Sequence, residues 1–363
     1  MGDPLKSFGL LPLSLLVAFG AFAWGGVAHA EASSPTLPSA SAPPVEASTN
    51  ADPSRAPEPV GVVEPQLLPP PLVQPKIAPA PYSVPWQLRP IVAPTVLRAE
   101  TSAAFYEDSA GRGGTTLATI FTGSYKVPGT GPASAGLAVI ARMAIVGDDP
   151  APGNRARGAL TFVNPLLGAA YAVKLAGGFR LNAFLGATLP VGGGGGDTPS
   201  PGAQNSRVKG VNARAQMDNA LFAVNDFTLI PGIGAAYVAH GLTVQVEATL
   251  LHLMRVRGEA VQKEASKTNL TMGLHVGYFV TSFLSVGAEL RYQRWLNAPF
   301  AVEKDASEAS RDTLSVAIGP RAHIKLGSLW LRPGIAYQRG LDKPLAAATP
   351  NYHIVQFDLP LFF

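Results

Sequence analysis

The chain has 363 residues, of which 14% are charged; it carries a net charge of +4 and no Cys. The absence of Cys excludes a disulfide framework, a thiolate metal site and an acylated N-terminal Cys. No block of like charge suggests nucleic acid binding. Past the N-terminus no stretch reaches the roughly 18 apolar residues that a spanning helix requires.

The first thirty residues read as a secretory signal. Lys6 supplies a positive start, Leu10 to Trp24 an apolar run, and Ala28-His29-Ala30 a small-x-small cleavage site. An uncleaved anchor helix is the alternative, but Pro12, Ser14 and Gly20 interrupt the run. Residues 31–94 differ in composition and hold half of the 34 prolines. Pro removes a backbone donor and fixes φ, so this stretch is expected to be an extended, disordered linker or arm on the periplasmic side. Pro69-Pro70-Pro71 and Ala78-Pro79-Ala80-Pro81 offer docking segments for a periplasmic partner.

From residue 95 to 363 one pattern repeats: about ten residues with apolar side chains at every second position, then a break. Twelve such segments lie near 95–106, 115–127, 136–147, 163–175, 178–191, 227–239, 242–257, 269–281, 283–296, 313–326, 329–339 and 352–363. In the segment Phe179 to Leu189, for example, Phe179, Leu181, Ala183, Leu185, Ala187 and Leu189 share one face, with Arg180, Asn182, Phe184, Gly186 and Thr188 on the other. Several breaks are very short, such as Ala176-Gly177, His240-Gly241 and Gly327-Ser328. The intervening ones are longer and polar, such as Gly192 to Asp226 and Asn297 to Asp312. Short turns at one end and long loops at the other are the asymmetry of an all-β, antiparallel transmembrane barrel of about 12 strands. That asymmetry puts both barrel ends and the Pro-rich arm in the periplasm. A soluble β-sandwich would alternate too. The loop asymmetry, the export signal and the aromatics on the apolar face favour the membrane.

The chain closes with Val355, Phe357, Leu359, Leu361 and Phe363 on one face. This resembles the closing strand of Gram-negative outer-membrane β-barrel proteins, the porins and transporters among them. The resemblance implies an outer-membrane location, a lipid bilayer around the barrel, and Phe357, Leu359, Leu361 and Phe363 as a signal to the barrel-assembly machinery. Pro360 departs from the pattern, because Pro cannot donate to a sheet ladder, and predicts a locally weak seam.

The candidate lumen-lining residues are Arg98, Arg142, Arg180, Glu247, His275, Glu289, Arg291, Arg321, His323 and Arg332. Inward bases outnumber inward acids, and rings of Arg favour anions. The same groups could instead pair across strands and fill a narrow barrel. His275 is expected opposite Glu289, with Glu247 one strand away, but no Ser motif accompanies it. A hydrogen-bonded structural His therefore competes with a catalytic one. His spacing does not suggest a metal, and no cofactor is expected. Two main readings stand: a narrow channel or transporter for small solutes, anionic ones among them, and a non-conducting structural or adhesion barrel that binds partners through its loops and Pro-rich arm. A barrel enzyme is a third. The loop 192–226 holds an apolar run, Met217 to Val224, that could plug the lumen or extend a strand.

Overall fold

The computed structural model describes residues 81–108, 110–132, 134–153, 158–258, 265–305, 311–347 and 351–363. The expected export signal, and the expected linker up to residue 80, lie outside the described residues.

The strands follow the period-two pattern. β1 (Val96–Glu107), β2 (Gly113–Lys126) and β3 (Gly136–Asp149) are followed by a short hook, β4 (Leu160–Phe162). β5 (Leu166–Lys174), β6 (Phe179–Thr188), β7 (Asp226–Ala239), β8 (Leu242–Arg255), β9 (Ser266–Thr281) and β10 (Leu284–Asn297) continue the wall. β11 (Asp312–Ala322) and β12 (Ile324–Leu326) together make one crossing. β13 (Leu329–Leu331) and β14 (Gly334–Gly340) make the next, and β15 (His353–Phe362) the last. All pairings are antiparallel, and β15 pairs with β1 to close a barrel of twelve crossings. Closure leaves no exposed ladder, which is what a sheet surrounded by lipid requires.

The alternation sorts side chains as expected. Along β6, Leu181 and Leu185 are exposed while Arg180, Asn182 and Phe184 are buried. Ile233, Val246, Val276, Leu290, Ile318 and Phe357 likewise stand outside, where an apolar medium covers them. On β15, Phe357, Leu359 and Phe363 face out, and Leu361 is half-buried. The seam at Pro360 is not weak towards β1. The register runs unbroken from Val96↔Phe362 to Phe105↔His353, with Arg98↔Pro360 inside it. The irregularity falls on the other side, where Arg332 and Pro333 separate β13 from β14. There the Pro360 carbonyl accepts from Arg332 N at 3.0 Å.

Two segments depart from expectation by lying inside the barrel. Residues 81–94, read from the sequence as the end of the linker, are packed against the inner wall. The loop between β6 and β7 also folds inward. It carries α1 (Pro201–Ala213) and α2 (Asn219–Phe222), whose Leu221 and Phe222 join a buried cluster with Val146, Leu253 and Trp295. The plug is thus the arrangement adopted by Met217 to Val224. Each large side chain so buried contributes on the order of 1.5–3 kcal/mol.

Candidate functional site

An irregular segment can be buried only if its backbone donors find acceptors. Residues 81–94 meet this condition in two ways. Pro81, Pro85, Pro90 and Pro94 have no N–H to satisfy. Many of the remaining N–H groups are received by side chains of the wall. Glu289 accepts from Trp86 N and, at 3.1 Å, from Gln87 N. Glu247 accepts from Arg89 N at 2.7 Å, and Thr243 from Ser83 N at 3.0 Å. Ile91 N donates to the Tyr82 hydroxyl at 3.1 Å, which in turn donates to Gln245 at 2.6 Å. The composition that argues against regular structure therefore also suits a chain threaded through a polar lumen.

The inward glycines make the room. A Cβ on Gly277 would lie 2.1 Å from Ser83 Oγ, and one on Gly334 would lie 2.7 Å from the Trp86 ring. A Cβ on Gly273 would meet Leu88, one on Gly234 would meet Ile91, and one on Gly232 would meet the Arg89 guanidinium. Glycines of β7, β9 and β14 thus form a groove shaped to this peptide. Trp86 is its anchor: it is 1% exposed, donates Nε1–H to the Gly287 carbonyl at 3.2 Å, and lies under the Arg321 guanidinium at 4.4 Å.

The ten candidate lumen residues are buried or partly buried, and ion pairs engage most of them. Arg98 Nε donates to Asp358 at 2.7 Å, and its Nη2 lies 3.0 Å from Glu100. Arg321 also pairs with Asp358, and Arg291 pairs with Glu289 at 2.8 Å. Arg89 of the inserted segment pairs with Glu247 at 3.0 Å. From the loop, Arg214 pairs with Glu100 and, at 2.8 Å, with Asp218. Asp218 accepts from Arg142 at 3.0 Å. Burial of the Asp218 carboxyl works to raise its pKa, but the guanidiniums of Arg142 and Arg214 outweigh it and hold it at about 2. Among the described residues, Arg180 and Arg332 are in no ion pair. They lie instead over aromatic rings, Arg180 over Tyr82 and Arg332 over Phe362.

The two inward histidines are kept apart. His323 shares a 2.8 Å hydrogen bond with Ser285 and stacks on Phe279. His275 does stand opposite Glu289, with its Nδ1 3.5 Å from the carboxylate, and its Nε2 is 3.3 Å from Ser83 Oγ. Serine, histidine and carboxylate are thus in line, with the serine supplied by the inserted segment. Both spacings are long for a working relay, however, and Glu289 is already occupied by Trp86, Gln87 and Arg291. The arrangement is a clamp on the segment.

The network takes in Trp86, Arg89, Arg214 and Asp218, none of which the strand pattern could point to. Arg89 has one partial signal: it stands as a lone base within the run Pro85 to Pro94. Between the two inserts and the wall are two small cavities of about 70 and 40 Å³. Both are lined by Arg89, Arg142 and Leu166.

No protein-family model matches the chain, and no curated protein matches it. Solved structures do. An outer-membrane channel from Pseudomonas putida F1, designated COG4313, superposes with a TM-score of 0.51 at 11% identity, over 78% of this chain and 100% of that one. The porin NanC matches with a TM-score of 0.41 at 10% identity, over 73% and 98%. The translocator domain of the autotransporter NalP from Neisseria meningitidis gives 0.41 at 11% identity, over 76% and 90%. The fold is that of the Gram-negative outer-membrane β-barrels.

Proposed function

We propose that the protein is an outer-membrane channel for small solutes, held closed from both ends by its own chain. The observation that carries this reading is the way the lumen is filled. The occupying segments are fastened to the wall by ion pairs and hydrogen bonds, which are exchangeable, as well as by apolar contacts, around residual cavities. With the long loops outside the cell, residues 81–94 close the periplasmic half and the loop with α1 and α2 closes the extracellular half. The COG4313 protein, named a channel, supports the reading as a neighbour in fold.

If both inserts withdraw, the wall retains Arg98, Arg142, Arg180, Arg291, Arg321 and Arg332 against Glu100, Glu247, Glu289 and Asp358. With Arg255 and Lys267 against Asp148 and Asp226 also on the inner wall, bases exceed acids by eight to six, which favours anions in the open state. In the closed state the bases are largely paired, so the preference belongs to the opened barrel. Planar-bilayer recording tests the reading. The intact protein should conduct in rare, brief openings, and G277V, which crowds Ser83 out of its groove, should conduct steadily and prefer anions. A G277V barrel that inserts normally and stays silent would favour the non-conducting structural barrel instead.

A further inference from the structure

Arg89 and Arg142 differ from the other arginines of the central network. Their side chains are 20% and 17% exposed, whereas those of Arg214, Arg291 and Arg321 are 2% or less. What they are exposed to is the pair of cavities, since both residues line both. Each is also half of a latch that crosses from wall to insert. Arg89 of the segment holds Glu247 of β8, and Arg142 of β3 holds Asp218 of the loop.

Much of the rest of the larger cavity is apolar, with Thr122 and Ser124 adding hydroxyls. Leu88, Pro90 and Val92 of the segment face Ile140, Leu166 and Phe184 of the wall. Arg98 and Glu100 complete its polar end, and Glu100 is already shared by Arg98 and Arg214.

We propose that the two cavities form one binding site for a small molecule with an apolar body and a single carboxylate. This proposal rests on the channel reading for its purpose but not for its geometry. Arginines at the polar end repel cations. A ligand carboxylate offers Arg89 and Arg142 the same planar pair of acceptors that Glu247 and Asp218 now supply, so it can replace either without leaving a guanidinium unpaired. Its apolar body replaces empty space beside Leu166 and Phe184, which favours binding in proportion to the area covered. A ligand so placed competes with one latch on each insert. Its occupation therefore loosens both plugs at once, because it binds the loosened form better than the latched one.

The probe is hexanoate, with acetate as a charge-only control and hexanol as an apolar-only control. Binding to the full-length barrel in nanodiscs is measured by titration calorimetry, with empty nanodiscs subtracted. Hexanoate is expected to bind saturably, and acetate and hexanol at least tenfold more weakly. R142Q should weaken hexanoate about tenfold or more and leave hexanol unchanged. R142K, which keeps the charge but loses the planar fork, should fall between and serves if R142Q fails to assemble. Saturable hexanoate binding should also raise protease cleavage within 201–216. Non-saturable binding, or binding indifferent to both Arg142 variants, overturns the site. Saturable binding without added cleavage overturns the competition with the latches. Saturable binding with no conductance at any hexanoate concentration removes the channel reading and leaves the site standing.

Discussion

Glu289 is where the wall and the inserted segment depend most directly on one another. Its carboxylate receives Arg291 from its own strand and two backbone N–H groups from Trp86 and Gln87. Replacing it with Ala leaves a fully buried guanidinium unpaired, which costs about 3–5 kcal/mol. E289A should therefore lower the heat-modification temperature seen on gels and also raise conductance, as the segment loses its anchor; E289Q should do less of both. Asp218 gives a pH dependence of definite sign. Its folded-state carboxyl sits at about 2, below the ordinary value of 3.8. The stabilisation is fully present above about pH 4 and is lost as pH falls through about 2. Loop docking, read by protease resistance with an acid-active protease, should hold from neutral pH down to about 4 and weaken below. D218N should show the weakened state already at neutral pH.

The two inserts are elements of different kinds. The loop carries an apolar contribution, with Leu221, Phe222 and Val224 in the buried cluster, and an ionic one centred on Arg214. R214A would leave Glu100 facing Arg98 on the wall and Asp218 still held by Arg142, so the wall pair survives while the loop loses its central fastening. Cleavage within α1 by a protease added outside intact cells should be slow in the native protein and faster in R214A. The segment 81–94 has no helix or ladder, and its order comes chiefly from the wall. Crowding variants in the groove should release it without disturbing the strands, because the inward face of Gly277 meets the segment while its backbone still pairs with Gly287 and Thr243.

At the scale of the barrel, the arginines divide into those that hold the wall and those that charge the lumen. Arg291 and Arg321 are 2% exposed or less and are paired with Glu289 and Asp358. Arg332 rests on the rings of Trp330 and Phe362 without a carboxylate partner among the described residues. R291Q and R321Q should lower thermal stability. R332Q should leave it near the native value and, in a barrel opened by G277V, reduce anion selectivity in reversal-potential measurements. A reversed outcome, with R332Q unstable and R291Q altering selectivity alone, would contradict this division.

The strands were legible in the sequence because lipid imposes a local rule. Every second residue of a crossing must be apolar, and no backbone group may lack a partner, so period two, turn length and closure can be read along the chain without knowledge of any distant contact. The inward direction of Arg98, Arg142, Arg180, Glu247, Glu289 and Arg321 followed from the same rule. What fills the lumen obeys no local rule. Trp86 meets Glu289, Arg214 meets Glu100, and Ser83 meets Gly277, across separations that no pattern in one chain links. A Pro-rich stretch has the same composition whether it is solvated or threaded. Only the tertiary structure, by placing carboxylates where its N–H groups arrive and glycines where its side chains need space, decided that this one is inside.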